Sequence, residues 1–229
     1  MATEGVKLLS FWASPYAMRA LLALEAKGVK YTAIEEDLSA KSQLLLESNP
    51  VFKMIPVLLH RGKAIPESLL IILYVDEAWP EHASFFPKDP YGRAMTHFWS
   101  DFIDKKIFEV AFFALKAEGD KQEAALSELY ENFLTLEGGF TKLDAKPFFN
   151  GSSIGYADIC LAPFVAWFLP IFEEQAGAGL PTAEEAPNLH KFFEAIREHP
   201  AAEVIFPDPE KLLAYVKRWR QAALKSKQS

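Results

Sequence analysis

The sequence predicts two domains of different class, a small α/β domain with a mixed sheet followed by an all-α domain. Strand-like and helical segments alternate over the first eighty residues, whereas only helical spacing of apolar residues continues from residue 91. The stretch AWPEHASFFPKDP, at 78–90, is interrupted by prolines and has no regular pattern. We therefore expect domains at 1–80 and 91–229, joined by a linker at 81–90.

The first domain is expected to have the element order βαβ-α-ββα. A strand at 6–11, a helix at 16–27 and a strand at 30–35 form a βαβ unit, whose parallel strands should have a right-handed connection. A short helix at 41–47, a strand around 57–59, a hairpin turn at 61–63, a return strand and a helix from 67 to about 76 follow.

The second domain is expected to contain only helices, at 91–114, 120–143, 156–172, 188–198 and 209–224. The apolar run at 154–172 approaches the length of a transmembrane helix. It contains Asp158, Pro163 and Pro170 and lacks flanking basic residues, so we interpret it as a buried core helix.

Composition and charge exclude several functions. The net charge is −7 and the pI about 5.3, which disfavours nucleic acid or an anionic membrane as the main partner. The single cysteine, Cys160, excludes an intramolecular disulfide, and no secretion signal is recognisable, so a cytoplasmic location is expected. The five histidines have no metal-binding spacing. A basic cluster near the end is typical of a solvated helix: Lys217, Arg218, Arg220, Lys225 and Lys227.

The pair Ser14-Pro15 is the first candidate site. Serine before proline commonly starts a helix, so capping alone would explain Ser14. Alternatively, the hydroxyl also donates a hydrogen bond to a bound thiolate. A free thiol has a pKa of about 8.5, and a donor together with a helix N-terminus would increase its ionised fraction at neutral pH.

The stretch 49–77 is the second candidate site. If the bond before Pro56 is cis, the main chain of Ile55 would be free to pair with an extended peptide. The carboxylate of that peptide would lie at the helix start near Ser68. Taken singly, the polar residues here are typical of helix caps or solvated surface. Glutathione has a thiol, a peptide backbone, an ammonium and two carboxylates, which match the combined inventory of Ser14, Lys41, Lys53, Ile55, Glu67 and Ser68.

Three segments carry a family resemblance: WASPYAMR at 12–19, KGVKYTAIEEDLSAKSQLLLESNPVFKMIPVLLHRGKAIPES at 27–68, and FFPKDPYGRAMTHFW at 85–99. They resemble the tau class of plant glutathione transferases, and the similarity covers essentially the whole chain. The resemblance implies a thioredoxin-like N-terminal domain, an all-helical C-terminal domain and a homodimer. It also implies glutathione as a cosubstrate, without a permanently bound cofactor.

The resemblance also implies roles for individual residues. Ser14 matches the serine that stabilises the glutathione thiolate, and Arg19 a supporting position. The matches for glutathione binding are Lys41 and Lys53 for the glycyl carboxylate, Ile55 before Pro56 for the cysteinyl main chain, and Glu67 with Ser68 for the γ-glutamyl end. Gly155 and Asp158 match the start of a buried core helix, where the acid bonds back to the cap and serves folding.

The chain departs from the class at Phe52, Met54 and Pro66, where histidine, lysine and cysteine are frequent. Phe52 is either an aromatic key that inserts into a partner subunit or an exposed aromatic residue. A pocket for a hydrophobic electrophile is expected between the domains. Its candidate residues, each of which could instead be plain core, are Trp12, Tyr16, Phe108, Phe112, Trp167 and Phe206.

These observations favour a cytoplasmic glutathione transferase that conjugates glutathione to hydrophobic electrophiles, with reduction of organic hydroperoxides as a further expected activity. A glutathione-dependent thiol reductase of similar fold would need a cysteine in place of Ser14, which disfavours that function. A non-catalytic carrier of hydrophobic metabolites stays open as the alternative, because the same apolar cleft would serve it.

Overall fold

A computed structural model describes residues 5–142, 147–174 and 177–225. The chain forms two compact units, Met1–Ser84 and Phe85–Ser229, and the division between them falls inside the expected linker. The first unit is α/β and the second is helical, which confirms the predicted fold class. The expected helix end at residue 143 and the basic residue Lys227 lie outside the described residues.

The first unit contains a four-stranded mixed sheet in the order β2-β1-β3-β4. The strands are β1 (Val6–Ser10), β2 (Tyr31–Glu35), β3 (Val57–His60) and β4 (Lys63–Pro66). β1 is parallel to β2 and antiparallel to β3, which in turn is antiparallel to β4. The carboxyl ends of β1, β2 and β4 therefore lie beside the start of β3. We call this the β1 carboxyl edge, and the opposite one the β1 amino edge.

Three helices accompany this sheet: α1 (Pro15–Ala26), α2 (Gln43–Ser48) and α3 (Ser68–Ala78). α1 packs against α3, and both contribute buried aliphatic residues to the core. A buried ion pair of 2.7 Å joins Lys27, just after α1, to Asp76 in α3. Lys27 also donates to the carbonyl of Ala83 at 2.8 Å. The sequence patterns did not predict this pair, because its partners are far apart in the chain.

The second unit is helical throughout its regular elements. They are α4 (Pro90–Phe102), a π-helical segment (Ile103–Phe108), α5 (Glu109–Lys116), α6 (Asp120–Lys142), α7 (Tyr156–Leu161), α8 (Pro163–Trp167), α9 (Leu169–Glu174), α10 (Pro187–Arg197), α11 (Pro200–Ile205) and α12 (Pro209–Lys225). No helix among the described residues is long and apolar enough to span a bilayer.

Two predicted helices differ in the structure. The helix expected at 91–114 contains the π-helical segment, which widens the turn between α4 and α5. The buried helix expected at 156–172 is divided into α7, α8 and α9. The breaks lie next to Pro163 and Pro170, and proline lacks the N–H that a continuous helix requires. The short helix α11 was not predicted.

Asp158 organises the start of α7. Its carboxylate accepts main-chain hydrogen bonds from Phe149 at 2.7 Å, Asn150 at 3.3 Å and Gly155 at 2.9 Å. The bond from Gly155 confirms that the acid bonds back to the cap. A Cβ atom at Gly155 would lie 2.5 Å from the Cβ of Asn150 and 2.9 Å from the carbonyl oxygen of Phe85. This crowding explains why glycine replaces the Ser or Thr that is usual in the family.

The stability of the second unit should depend on pH through Asp158. Complete burial raises the pKa of this carboxyl to about 7, although the main-chain N–H groups that it accepts from lower the pKa. Between about pH 4 and 7 the folded chain therefore holds a proton that the unfolded chain releases, so stability falls as pH rises. We expect a slope of at most about 1.4 kcal/mol per pH unit, flat above and below that window.

Urea unfolding of the wild type and Asp158→Asn at several pH values would measure this slope. As pH rises from 4 to 7, the unfolding free energy of the wild type should fall relative to that of Asp158→Asn. A pH-independent difference would contradict the raised pKa.

Candidate active site

Apart from Tyr16 and Arg19, which lie within α1, the predicted site residues of the first unit lie in chain segments next to the β1 carboxyl edge. Ser10 pairs with Glu35, Leu9 with Val57, and Val57 with Pro66, so these strand ends are neighbours. The helices α1 and α3 also begin here, so two positive helix N-termini point to the same edge.

Ser14 lies at the N-cap of α1, as predicted. Its side chain accepts a hydrogen bond from the main-chain N–H of Ala17 at 3.2 Å, and Pro15 occupies the first helical position. Ser14 is 9% exposed. A hydroxyl that accepts from the helix still has its own proton to donate, so capping does not compete with donation to an anion.

Ile55 lies just before β3, and the Ile55–Pro56 peptide bond is cis. The pairing of β3 with β4 starts at Val57, beyond Ile55. Within the described parts of the chain, the structure gives the main-chain N–H and C=O of Ile55 no hydrogen-bond partner. Both groups are therefore available to an added extended peptide.

Asn49 shapes the loop that carries Ile55, a role that sequence reasoning missed. It is buried, its amide donates to the carbonyl of Met54 at 3.0 Å, and its side-chain oxygen accepts from the N–H of Phe52 at 3.2 Å. Its carbonyl also accepts from the N–H of Lys53 at 2.8 Å. The dipeptide Asn49-Pro50 is a turn signal that could have indicated this role.

Glu67 and Ser68 begin α3 directly after β4. Glu67 is exposed and has a φ of 72°, while Ser68 is buried at the first helical position. Lys53 is also left-handed, with a φ of 56°. Left-handed backbone is costly for residues other than glycine and clusters at functional sites, so both positions fit a ligand-binding role.

The remaining cations differ in environment. Lys41 and Lys53 are both exposed, Lys41 just before the Ser42 cap of α2 and Lys53 in the loop after that helix. Arg19 is fully buried in α1, and its guanidinium lies 5.2 Å from the ring centre of Tyr16. The supporting role that the resemblance implied for Arg19 stays a prediction.

Glu36 is a second residue that sequence reasoning missed. It is buried after β2 and accepts from the Ser42 hydroxyl at 2.7 Å and the Ser42 N–H at 3.2 Å. It therefore fixes the start of α2 and the segment that carries Lys41. Next to it, the carboxylate of Glu35 accepts from the N–H of Trp12 at 2.9 Å, which holds the loop before Ser14 against β2.

Three predicted pocket aromatics of the second unit meet around Phe168. The ring centre of Phe108 lies 5.4 Å from that of Phe168, and the Phe112 ring 4.8 Å from it. Trp167 lies 5.1 Å from Phe112 and 5.4 Å from Trp219 of α12. Phe108 is fully buried, and Phe112 is half-buried. Trp219, which sequence reasoning missed, extends this aromatic cluster.

The other aromatic candidates lie elsewhere. Trp12 and Tyr16 belong to the first unit, one before and one within α1. Phe206 follows α11 and lines a separate cavity of about 510 Å³ with Val165, Ala166 and Pro170. Phe52 and Met54 are each 57% exposed. In the described residues, no group of three or more His, Cys, Asp or Glu side chains could hold a metal ion.

Both units match known family models. Residues 4–77 match the model of the N-terminal domain of glutathione S-transferases, and residues 102–200 match that of the C-terminal domain.

Full-length relatives and solved structures are also similar. The chain is 41% identical to "Probable glutathione S-transferase parA" of Nicotiana tabacum, over 94% of this chain and 96% of the tobacco protein. It is 40% identical to "Glutathione S-transferase U19" of Arabidopsis thaliana, over 96% and 98%. The tau-class enzyme MiGSTU from mango superposes with a TM-score of 0.87 at 40% identity, over 94% and 99%. A rice enzyme, OsGSTU1 in complex with glutathione, has a TM-score of 0.86 at 34% identity, over 97% and 99%.

Proposed function

The chain belongs to the glutathione S-transferase family, in its plant tau class, and on this premise we propose how its residues bind glutathione and activate the thiol. The activity is the conjugation of glutathione. The observation that carries the proposed site is the meeting, at the β1 carboxyl edge, of a buried serine hydroxyl, two helix N-termini and an unpaired main-chain segment. The rice relative, whose structure contains glutathione, supports the choice of ligand.

The proposed binding mode uses opposite ends of the tripeptide. The N–H and C=O of Ile55 pair with the cysteinyl main chain as a short added strand. The Glu67 carboxylate meets the γ-glutamyl ammonium, and the N-terminus of α3 at Ser68 binds the neighbouring carboxylate. Lys41 and Lys53, which are exposed cations, are the proposed partners of the glycyl carboxylate. This arrangement leaves the thiol directed to the start of α1.

Ser14 is the proposed catalytic residue. Its hydroxyl donates to the thiolate sulfur while the N-terminus of α1 favours the negative charge, so more of the bound thiol ionises at neutral pH. The sulfur then attacks the electrophilic carbon: a carbon–sulfur bond forms, the leaving group departs with its electron pair, and the thiol proton passes to solvent. Proximity and anion stabilisation account for this catalysis without a covalent enzyme intermediate.

The hydrophobic electrophile is proposed to use the aromatic residues predicted for it. Phe112 and Trp167, with Trp219 beside them, offer the apolar surface that such a substrate needs. Trp12 and Tyr16 are the proposed contributors from the first unit. The full burial of Phe108 suits it to support the cluster, and Phe206 would contribute through its separate cavity. Organic hydroperoxides are further proposed substrates, since the same thiolate would attack a peroxide oxygen.

Conjugation of an aromatic halide, measured alongside binding of an apolar dye, separates the enzyme from a carrier. We expect turnover that saturates with glutathione. Tight dye binding without turnover would instead favour the carrier, an alternative that the names of the relatives above do not support.

A homodimer in the cytoplasm is proposed for the assembled protein. Phe52 supports the dimer, since its exposed ring stands on the loop before β3, where a partner subunit could cover it. A monomeric mass in light scattering would contradict this assembly. Fractionation of the cells that produce the protein would test its location.

Asn49→Ala should raise the KM for glutathione about tenfold with little change in kcat. The substitution removes the bonds that hold Phe52 and Met54, so the loop must be ordered by the ligand instead of being preorganised. Steady-state kinetics with glutathione varied at saturating electrophile would measure the effect. Asn132→Ala, which removes an amide donor in the second unit, is the matched control. An equal loss in kcat would indicate a wider structural effect and contradict the positioning role.

A further inference from the structure

A cleft of about 390 Å³ lies at the β1 amino edge, inside the first unit. Lys7 of β1, Arg61 of the turn between β3 and β4, and Lys63 at the start of β4 contribute its cationic groups, and Glu47 of α2 contributes one carboxylate. Leu44 and Leu59 supply apolar surface. We call this the basic cleft. Its volume lies within the range of small-molecule sites.

The basic cleft is separate from the glutathione site. Lys7 pairs with Leu59, and Lys63 with His60, at the opposite end of the strands from Val57 and Pro66. The length of β3 separates the two edges by about 10 Å. A ligand in the cleft would therefore leave the residues around Ser14 and Ile55 uncovered.

The charges in the basic cleft are unbalanced. Three cations and one carboxylate give a local charge of 3 − 1 = +2 with His60 neutral, in a chain of net charge −7. Among the described residues, none of the side chains of Lys7, Arg61 and Lys63 has an ion pair or hydrogen bond. All three side chains are exposed, so an anion could reach them without first breaking an internal pair.

This charge balance favours a compact dianion. Arg61 can form two parallel hydrogen bonds to a phosphate group, and the two lysines add point charges around it. The leucine side chains would contact an apolar body attached to that head group. An extended polyanion such as nucleic acid or an anionic membrane would also meet the negative charge of the surrounding protein, which disfavours it.

We propose that the basic cleft is a second ligand site, outside the glutathione site, for a small phosphate monoester with an apolar body. The head group binds between Lys7, Arg61 and Lys63, and the apolar body lies against Leu44 and Leu59. Binding there is independent of glutathione.

The probe is 1-naphthyl phosphate, titrated calorimetrically into the protein saturated with S-hexylglutathione, which blocks the glutathione and electrophile sites. We expect binding that saturates at one probe per chain and weakens with added salt. Arg61→Gln and Lys63→Gln should each weaken it about three- to fivefold, and the double variant about tenfold. 1-Naphthol has only the apolar body and inorganic phosphate only the anionic head group, so each should bind more weakly than the probe.

The double variant Lys121→Gln with Lys191→Gln is the matched control, since it changes the net charge equally at exposed positions of the second unit. Its affinity for the probe should equal that of the wild type. The proposal would be overturned if the probe did not bind to the protein saturated with S-hexylglutathione. It would also be overturned if the double variant of Arg61 and Lys63 bound the probe as tightly as the wild type. Binding of anionic vesicles without binding of the probe would overturn it as well. A changed oligomeric mass in the cleft variants would assign this surface to a second copy instead.

Discussion

Ser14→Ala is expected to lower kcat/KM for conjugation about 100-fold at pH 6.5. The substitution removes the proposed donor to the thiolate, and losing one such donor in a preorganised site typically has an effect of this size. The pKa of the bound thiol should rise toward its solution value of about 8.5, so the pH profile of kcat/KM shifts to higher pH. Initial rates with an aromatic halide between pH 5.5 and 9.5 would measure both effects.

Controls must separate this effect from the helix cap. Ser14→Ala also leaves the Ala17 N–H without its side-chain partner, which should cost about 1 kcal/mol of stability. Ser14→Thr keeps both the hydroxyl and the cap and should retain most of the activity. The loss in Ser14→Ala should shrink above pH 9, where the thiol ionises without help. An unchanged rate in Ser14→Ala, or a loss equally large at all pH values, would rule out Ser14 as the thiolate donor.

Asp158→Ala is expected to lower the free energy of unfolding by about 3 kcal/mol. Three main-chain N–H groups, from Phe149, Asn150 and Gly155, would lose their acceptor in a buried region. The start of α7 would lose its only acidic first-turn residue as well. Urea unfolding followed by circular dichroism at pH 4, at the lower end of the window in which the wild type loses stability with rising pH, would measure the loss.

Asp158→Asn is the informative comparison for this prediction. Its side-chain oxygen can still accept, but its amide group would face the remaining N–H donors, so we expect about half of the loss. Activity per folded molecule should be unchanged in both variants, because the residue serves folding. A variant that is as stable as the wild type would show that solvent replaces the carboxylate. A loss of activity without a loss of stability would give Asp158 a different role.

Local sequence patterns predicted most helices and strands, because apolar periodicity and helix-start signals arise from residues close together in the chain. Apolar periodicity placed α6, α10 and α12 within two residues of their observed starts, and Ser14-Pro15 located the start of α1. The single helix predicted at 156–172 was wrong, because the effect of proline on a helix was not applied there. The prolines at 163 and 170 were noted in the apolar run, yet their effect was to divide the helix, since each removes a main-chain donor.

Other features could not be predicted from local patterns because they depend on contacts between distant parts of the chain. The ion pair of Lys27 with Asp76 joins two residues far apart in the chain, and the local pattern around neither residue indicates the other. The aromatic contact of Trp219 with Trp167 joins α12 to α8. Asn49 is an ordinary turn residue by composition, and only its burial and its bonds to the following loop indicate its positioning role.

The sequence by itself determined the two-domain class, most helices and strands, and the types of residue suited to hold a thiol tripeptide. Its resemblance to a known class then assigned roles to those residues. Only the tertiary structure decided which of them share an edge, because strand register sets that proximity: Leu9 pairs with Val57, and Val57 with Pro66. The same register separates the basic cleft from the proposed glutathione site. Residue types can be read along the chain, whereas the order and register of the strands decide which distant residues become neighbours.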